Sequence, residues 1–294
     1  MSKDYERREI LKFGFAASIA PVIGRKGIVK EEVKSKSTIQ RENNIFHSAC
    51  RWCYNKIPLE ELADKAKDIG LQSIELLDPE EWEIMLSRGL NCAISNGSPL
   101  GITKGFNNPG FHKQLQEDIE PILIKAAEKG IPNVICFSGN TNGLSWEQGL
   151  ENCAKGLEPL AKLAEKHQVN LVMELLNSKV DHADYQCDNS KWGTALVEKL
   201  GSPRFKLLYD IYHMQIMEGD VIATIRKNKD YIAHYHTGGV PGRNEIEENQ
   251  ELNYKAICDA IIGTGYKGFL GQEFIPTRED PFVSLRKAID ICDV

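Results

Sequence analysis

The chain has 294 residues, of which 41% are hydrophobic and 27% charged, a composition typical of a globular protein with a large core. Its net charge of −6 excludes the strongly basic surface with which duplex-binding proteins neutralise phosphates. We therefore expect no nucleic acid as the main partner.

The first 42 residues differ in character from the rest of the chain. Arg7 and Arg8 precede a weakly apolar stretch, residues 13–23, which is too short to span a bilayer but suits the h-region of a signal peptide. The segment is similar to a twin-arginine export signal, and a frayed amphipathic helix is the alternative. We expect residues 1–42 to be a signal segment and polar linker, with export to the periplasm or otherwise a cytoplasmic location, and no membrane span in the mature form.

From residue 43 onwards, strand-like runs alternate with segments of helical periodicity. The predicted strands are 44–49, 71–77, 90–95, 132–137, 169–175, 205–211, 231–236 and 268–274. The predicted helices are Pro58 to Ile69, Pro79 to Arg88, His112 to Lys129, Trp146 to His167, Ser190 to Leu200, Glu218 to Lys227, Asn253 to Ile262 and Asp280 to Ile289.

Strict alternation of strand and helix favours a parallel sheet, and eight such units favour its closure into a barrel. The sequence therefore predicts an α/β protein with one (β/α)8 TIM-barrel domain over residues 43–294. In such barrels the loops that follow the strands build the active site. The oligomeric state is not specified by the sequence, and a homo-oligomer is one possibility.

Four metal-ligand residue types stand at the ends of apolar runs: Glu174, Asp210, His236 and Glu273. They are separated by 36, 26 and 37 residues, close to the roughly 30 residues of one strand-plus-helix unit. This spacing predicts that all four lie on neighbouring strands, at the C-terminal rim of the barrel. Three carboxylates and one imidazole form a site dominated by hard oxygen ligands, which suits Mn²⁺ or Mg²⁺.

Several short motifs together resemble the hydroxypyruvate isomerase family of xylose isomerase-like barrels. They are SACRWCYNKIPLEEL, IELLD, ISNG, YDIYHMQ, PGR followed by ELNY, and GQEF, and the similarity extends from Phe46 to Ile291. The resemblance implies that Glu174, Asp210, His236 and Glu273 hold the metal, and that the two glutamates act as catalytic base and acid. Many hydroxypyruvate isomerases carry Gln where this chain has His236, a residue that is instead similar to the ketose epimerases.

The resemblance also implies a set of substrate-binding residues. His213 would polarise a substrate oxygen, with a structural role at a helix start as the alternative. Arg243 would bind a substrate carboxylate, with a loop salt bridge to Glu245 or Glu247 as the alternative. Asn96 and Lys56 are further candidates for the pocket. His234, on the same strand face as His236, is expected to support the site from one layer deeper.

The leading hypothesis is a metal-dependent isomerase that converts hydroxypyruvate to tartronate semialdehyde through an ene-diolate. The alternatives are a ketose 3-epimerase or other sugar isomerase, and a catalytically silent sugar-binding barrel. A phosphodiester-cleaving endonuclease would need further metal ligands and a basic groove, neither of which is apparent. The expected partner is therefore a small hydroxy-carbonyl acid or sugar.

Overall fold

The computed structural model describes residue 42 and residues 44–294 of the chain. The predicted export signal lies outside these residues. Within the part that is described, no helix has both the length and the apolar character needed to cross a membrane.

Seven parallel strands form one curved sheet in the order β2-β1-β7-β6-β5-β4-β3. The strands are β1 (Phe46–Cys50), β2 (Ser73–Glu75), β3 (Asn133–Cys136), β4 (Asn170–Leu175), β5 (Phe205–Asp210), β6 (Ile232–Thr237) and β7 (Phe269–Gln272). The TIM-barrel prediction is confirmed.

The predicted strand 90–95 is wrong as a regular strand, although it occupies the position of one. Asn91 bridges to Ser73 in β2, and Ser95 bridges to Val134 in β3, so the segment joins the two edges of the sheet. Its pairing with β2 is irregular, because the amide of Ala93 donates to the Ser73 hydroxyl rather than to a backbone carbonyl. Leu76, with a φ of 57°, also turns the chain out of the extended conformation after β2.

Helices follow the strands and cover the outer face of the sheet. They are α1 (Leu59–Ile69), α2 (Trp82–Leu86), α3 (His112–Lys129), α4 (Trp146–His167), α5 (Ser190–Leu200), α6 (Ile211–Met217), α7 (Val221–Asn228), α8 (Tyr254–Gly263) and α9 (Pro281–Cys292). Short 3₁₀ turns lie at Arg51–Tyr54, Pro109–Phe111 and Lys229–Tyr231.

Local chemistry sets the ends of these helices. Ser145 and Gln148 form a reciprocal capping box at the start of α4. Gly130, with a φ of 71°, ends α3 in the left-handed conformation that glycine adopts without steric cost. The helix predicted over Glu218 to Lys227 forms as α7 but begins only at Val221, because Gly219 and Asp220 both adopt positive φ. The short helix α6 before it was not predicted.

Two apolar layers hold the sheet. The larger core packs the helices against the outside of the sheet, and a smaller cluster of Ile94, Ile135, Val172 and Leu208 fills the interior of the barrel. Val172 and Leu208 each stand two residues before a predicted metal ligand. Because side chains in a strand alternate between faces with a period of two, the ligands lie one layer above this apolar floor.

Candidate metal and active site

The four predicted ligands meet at the rim of the barrel. Glu174 lies near the end of β4, Asp210 ends β5, His236 lies in β6, and Glu273 directly follows β7. One ligand atom from each lies within 4.8 Å of the others, and all four residues are at most 5% exposed. Residues that are far apart in the chain thus converge on one small volume.

Two atoms of this quartet are buried and without a hydrogen-bond partner. His236 Nδ1 lies 2.8 Å from Glu273 Oε2 and 3.5 Å from Glu174 Oε1. Neither His236 Nδ1 nor Glu174 Oε1 makes a hydrogen bond of acceptable geometry within the described residues. Such orphaned atoms are costly in a protein interior. A cation would satisfy both of them.

The charges of the site also favour a bound cation. Burial raises the pKa of Asp210 and of Glu174, because desolvation penalises the charged forms, and the nearby Glu273 raises both further. Desolvation would also raise the pKa of Glu273, but Arg243 and His236 outweigh it and hold that pKa well below its usual range. When all three carboxylates are ionised and His236 is neutral, the one guanidinium leaves two excess negative charges, which one divalent cation would balance.

Arg243 closes the site from the loop after β6. Its Nη2 lies 2.6 Å from Glu273 Oε2 and 3.1 Å from Asp210 Oδ2, and its guanidinium stacks between the rings of Trp52 and Tyr212. The alternative of a loop salt bridge to Glu245 or Glu247 is not what forms, because those two carboxylates pair with Arg278.

His213 is fully buried beside Asp210. Its Nδ1 lies 2.6 Å from the amide nitrogen of Asn177, which can only donate, so Nδ1 accepts and the proton of the neutral ring is assigned to Nε2. Burial lowers the pKa of His213 well below its usual value, and the nearby Arg243 lowers it further. His213 Nε2 lies 3.7 Å from Asp210 Oδ2 and has no hydrogen-bond partner. It can therefore donate towards a molecule bound in the site.

The position of His213 is set by the cap at the start of α6. Asp210 caps α6 by accepting a hydrogen bond from the backbone amide of His213 at 3.0 Å. The D-x-x-H spacing thus places a predicted metal ligand and a predicted substrate contact side by side. Asn177 and Asp181, which orient the His213 ring and Tyr212, were not predicted.

The sequence reasoning also missed Glu75, the last residue of β2. Its side chain is fully buried, and its Oε1 lies 2.7 Å from Nε2 of His236 and 2.9 Å from Nε2 of His234. Glu75 ends an apolar run in the same way as the four predicted ligands, so the same rule could have found it. The structure places His234 beneath His236, where the sequence predicted it.

The remaining predicted residues take different positions. Trp52 is 37% exposed and donates from Nε1 to Glu273 Oε1 at 2.7 Å, so it forms a wall of the site. Trp82, by contrast, is a core residue at 2% exposure. Asn96 donates to Asp78 Oδ1 at 2.9 Å, and Lys56 is an exposed residue of the turn after the first 3₁₀ segment. No described contact joins either residue to the quartet.

Comparison with known proteins agrees with this geometry. The family model described as xylose isomerase-like TIM barrel matches residues 58–291. The chain belongs to this family. The match covers β2 to β7 and α1 to α9, apart from the last residue of α9.

Two curated relatives narrow the class of enzyme within the family. The chain is 32% identical to the 2-oxo-tetronate isomerase of Cupriavidus necator over 74% of its own length and 87% of the relative. It is 26% identical to the hydroxypyruvate isomerase of Escherichia coli, over 72% and 86% of the two chains. These relatives place the protein among the isomerases of the family.

A solved structure supports the fold alone. The AP endonuclease of family 2 from Brucella melitensis superposes with a TM-score of 0.73 at 22% identity, over 81% of this chain and 96% of that one. At this identity the shared barrel does not extend to a shared reaction.

Proposed function

We propose that this protein is a metal-dependent isomerase that interconverts hydroxypyruvate and tartronate semialdehyde. The observation that carries the proposal is the convergence of Glu174, Asp210, His236 and Glu273, with ligand atoms within 4.8 Å of one another. The curated relatives named as isomerases of a three-carbon and a four-carbon oxo acid support the substrate class.

Glu174, Asp210, His236 and Glu273 would hold the cation. The donor set of three carboxylates and one imidazole favours Mn²⁺ or Mg²⁺ over the thiolate-preferring ions, with Mn²⁺ first because it tolerates the nitrogen ligand. When bound, such a cation acts as a Lewis acid that stabilises negative charge on the substrate oxygens.

The reaction moves one proton between neighbouring carbons, and this chain supplies two carboxylates for that transfer. A base removes a proton from C3 of hydroxypyruvate, a proton is returned at C2, and the hydroxyl proton moves from the oxygen on C3 to the oxygen on C2. Glu174 is the better candidate for the base, because its Oε1 has no hydrogen-bond partner and its pKa is raised by burial. Glu273 accepts hydrogen bonds at both oxygens, from Trp52 and from Arg243, and is held ionised. It would take up the hydroxyl proton from the oxygen on C3 and pass it to the oxygen on C2, while Glu174 returns its own proton at C2.

Arg243 and His213 would orient the substrate. The Nη2 of Arg243 donates to Asp210 and Glu273, whereas its Nε has no hydrogen-bond partner and can donate to a substrate carboxylate. His213 would donate from Nε2 to the oxygen that gains negative charge during the transfer. The indole of Trp52 and the ring of Tyr212 hold the guanidinium in place between them.

Two other substrates remain candidates on specific observations. The relative from Cupriavidus necator is named for 2-oxo-tetronate, which carries the same oxo-acid group as hydroxypyruvate and would use Arg243 in the same way. His236 favours a ketose 3-epimerase, since it takes the place of the glutamine of many hydroxypyruvate isomerases. A ketose has no carboxylate, so the substrate of an epimerase would lack the group that the Arg243 guanidinium is proposed to bind.

Turnover measurements decide among these substrates. Protein stripped of metal with a chelator and reloaded with Mn²⁺ would be assayed on hydroxypyruvate, 2-oxo-tetronate and a panel of ketoses. We expect activity on the oxo acids that disappears with the chelator and returns with Mn²⁺. Activity on ketoses alone would refute the oxo-acid assignment, and bound metal without turnover of any of them would indicate a silent barrel.

A further inference from the structure

A buried carboxylate behind the ligand quartet is not used by the proposed reaction. Glu75 lies at the end of β2, in register with Cys50 of β1, and is fully enclosed. It faces the interior of the barrel from the opposite side of His236 to the quartet. A buried charge of this kind is strongly unfavourable unless specific partners compensate it.

Three donors converge on one oxygen of Glu75. Oε1 lies 2.7 Å from His236 Nε2, 2.9 Å from His234 Nε2 and 3.4 Å from Cys50 Sγ. Both histidine nitrogens lie at hydrogen-bond distance from the same carboxyl oxygen. A carboxylate oxygen accepts hydrogen bonds, so the two Nε2 atoms that face Glu75 are assigned the protons.

The ring of His236 has only two nitrogens, and these contacts assign them different tasks. Nε2 points at Glu75, while Nδ1 points at Glu174 and Glu273. A proton fixed on Nε2 leaves the lone pair of a neutral ring on Nδ1, the atom that belongs to the quartet. Rotation of the ring by half a turn would break the 2.7 Å contact.

We propose that Glu75 is a positioning residue that fixes the tautomer and the orientation of His236, and so presents Nδ1 as a metal ligand. The inference rests on the proposed metal site. His234 holds Glu75 from below by the second hydrogen bond to the same oxygen. Carboxylates that hydrogen-bond to a ligating histidine in this way both orient the ring and make it a better ligand.

Gly271 of β7 supplies the space for this contact. A Cβ atom at this position would lie 2.2 Å from Glu75 Oε1 and 2.7 Å from His236 Cδ2. The backbone of β7 therefore passes directly against the pair, and only a residue without a side chain fits there. A strand in the middle of a sheet is an unfavourable place for glycine, so the requirement is one of close approach.

The same three residues could instead form a second metal site, since Glu75, His234 and His236 have ligand atoms within 4.8 Å of one another. The distances favour hydrogen bonds. The 2.7 and 2.9 Å contacts to Glu75 Oε1 have the geometry of hydrogen bonds, whereas the 2.8 Å approach of His236 Nδ1 to Glu273 Oε2 does not and leaves Nδ1 without a hydrogen-bond partner among the described residues. Gly271 also leaves little room beside Glu75 Oε1.

The test compares two substitutions at Glu75 with one control, in the full-length protein. Glu75→Leu removes the acceptor at similar volume, and Glu75→Gln keeps an oxygen acceptor without the charge. Ser73→Ala is the matched control, because it removes a buried hydrogen bond from the same strand, two residues away, without touching His236. Mn²⁺ affinity and stoichiometry would be measured by electron paramagnetic resonance, and the His236 Nε2 proton by NMR of ¹⁵N-histidine-labelled, Mg²⁺-loaded protein.

We expect the wild type to bind one Mn²⁺ and Glu75→Leu to bind it about 10- to 100-fold more weakly. Glu75→Gln should fall between them, and Ser73→Ala should match the wild type in affinity. The slowly exchanging proton on His236 Nε2 should be present in the wild type and absent in Glu75→Leu. This ordering distinguishes positioning from space filling, for which Leu and Gln would be equivalent.

Three results would overturn the inference: unchanged Mn²⁺ affinity in Glu75→Leu, equal affinities in the Leu and Gln variants, or two bound ions in the wild type with one lost in Glu75→Leu. If the wild type binds no metal, the proposed function fails separately. NMR of the unloaded protein then decides the role of Glu75. If the wild type shows a protected His236 Nε2 proton and Glu75→Leu loses it, the positioning role of Glu75 is supported. If the wild type shows no such proton, that role is refuted.

Discussion

Gly271→Ala is the smallest change that tests how the site is packed. The new methyl group would lie 2.2 Å from Glu75 Oε1, whereas real Cβ atoms essentially never approach another heavy atom closer than 3.0 Å. Either the carboxylate or the backbone of β7 must move. Both are enclosed: Glu75 is fully buried, and β7 is hydrogen-bonded between β1 and β6.

The expected loss of stability has two parts. Overpacking a close-packed interior by one methyl group costs about 1–3 kcal/mol. If the carboxylate is displaced far enough to lose its 2.7 Å contact with His236, a charge-assisted hydrogen bond worth about 1.5–3 kcal/mol is lost as well. A total of about 2.5–6 kcal/mol is large for a protein whose whole stability is of the order of 5–15 kcal/mol.

Urea denaturation of the metal-free protein, followed by circular dichroism, measures this loss. The matched control is Gly263→Ala at the end of α8, where an added Cβ meets nothing within 4 Å. That substitution should leave stability unchanged or raise it by about 0.5–1 kcal/mol, since alanine favours helix. A Gly271→Ala protein as stable as the control would refute the account of β7 packing against Glu75.

Three further predictions concern the chemistry of the site. Glu174→Gln should lower kcat on hydroxypyruvate by about 10²- to 10⁴-fold with little change in KM, and a near-normal kcat in steady-state assays would exclude Glu174 as the base. Arg243→Gln should raise KM for oxo acids by about 10- to 100-fold, the equivalent of a charge-assisted hydrogen bond, and an equal effect on a neutral ketose would contradict its role as a carboxylate binder. Mn²⁺ affinity should fall as the pH falls, by up to about tenfold per pH unit for each proton displaced. The reason is that burial raises the pKa of Asp210 and of Glu174, and the protons on these carboxyl groups must leave when the cation binds. Calorimetric titrations at several pH values measure this slope, and a pH-independent affinity would show that neither carboxylate holds a proton.

The ligand quartet could be predicted because the pattern that marks each ligand lies within a few consecutive residues of the sequence. Each ligand type ends an apolar run, and parallel strands of a barrel bring such ends to one rim. His213 was accessible for the same reason, since the D-x-x-H spacing spans a single helical turn at the N-terminus of α6. The alternation of strands and helices was equally legible, and α3, α4 and α5 begin and end at the predicted residues.

The features that the sequence did not predict depend on contacts across the barrel. Glu75 is 161 residues from its partner His236, and nothing local distinguishes its carboxylate from a helix cap or a surface charge. Arg243 was paired in the alternative prediction with its sequence neighbours, but its actual partners come from β5 and the end of β7. Segment 90–95 has the composition of a strand, yet a hydrogen bond from the Ala93 amide to the Ser73 hydroxyl replaces one backbone hydrogen bond of its pairing with β2.

The layered interior explains how so many polar groups can be buried together. The apolar floor of Ile94, Ile135, Val172 and Leu208 excludes water from below, so every charge above it must be compensated by its neighbours. Glu75 is compensated by two histidines. In their ionised forms the three carboxylates of the quartet are compensated only in part by Arg243, and that deficit, equal to one divalent cation, is the strongest physical reason to expect a metal at this rim. If the metal-free and Mn²⁺-loaded proteins unfold at the same urea concentration, this argument from charge balance is wrong, because a cation that binds only the folded state must stabilise it.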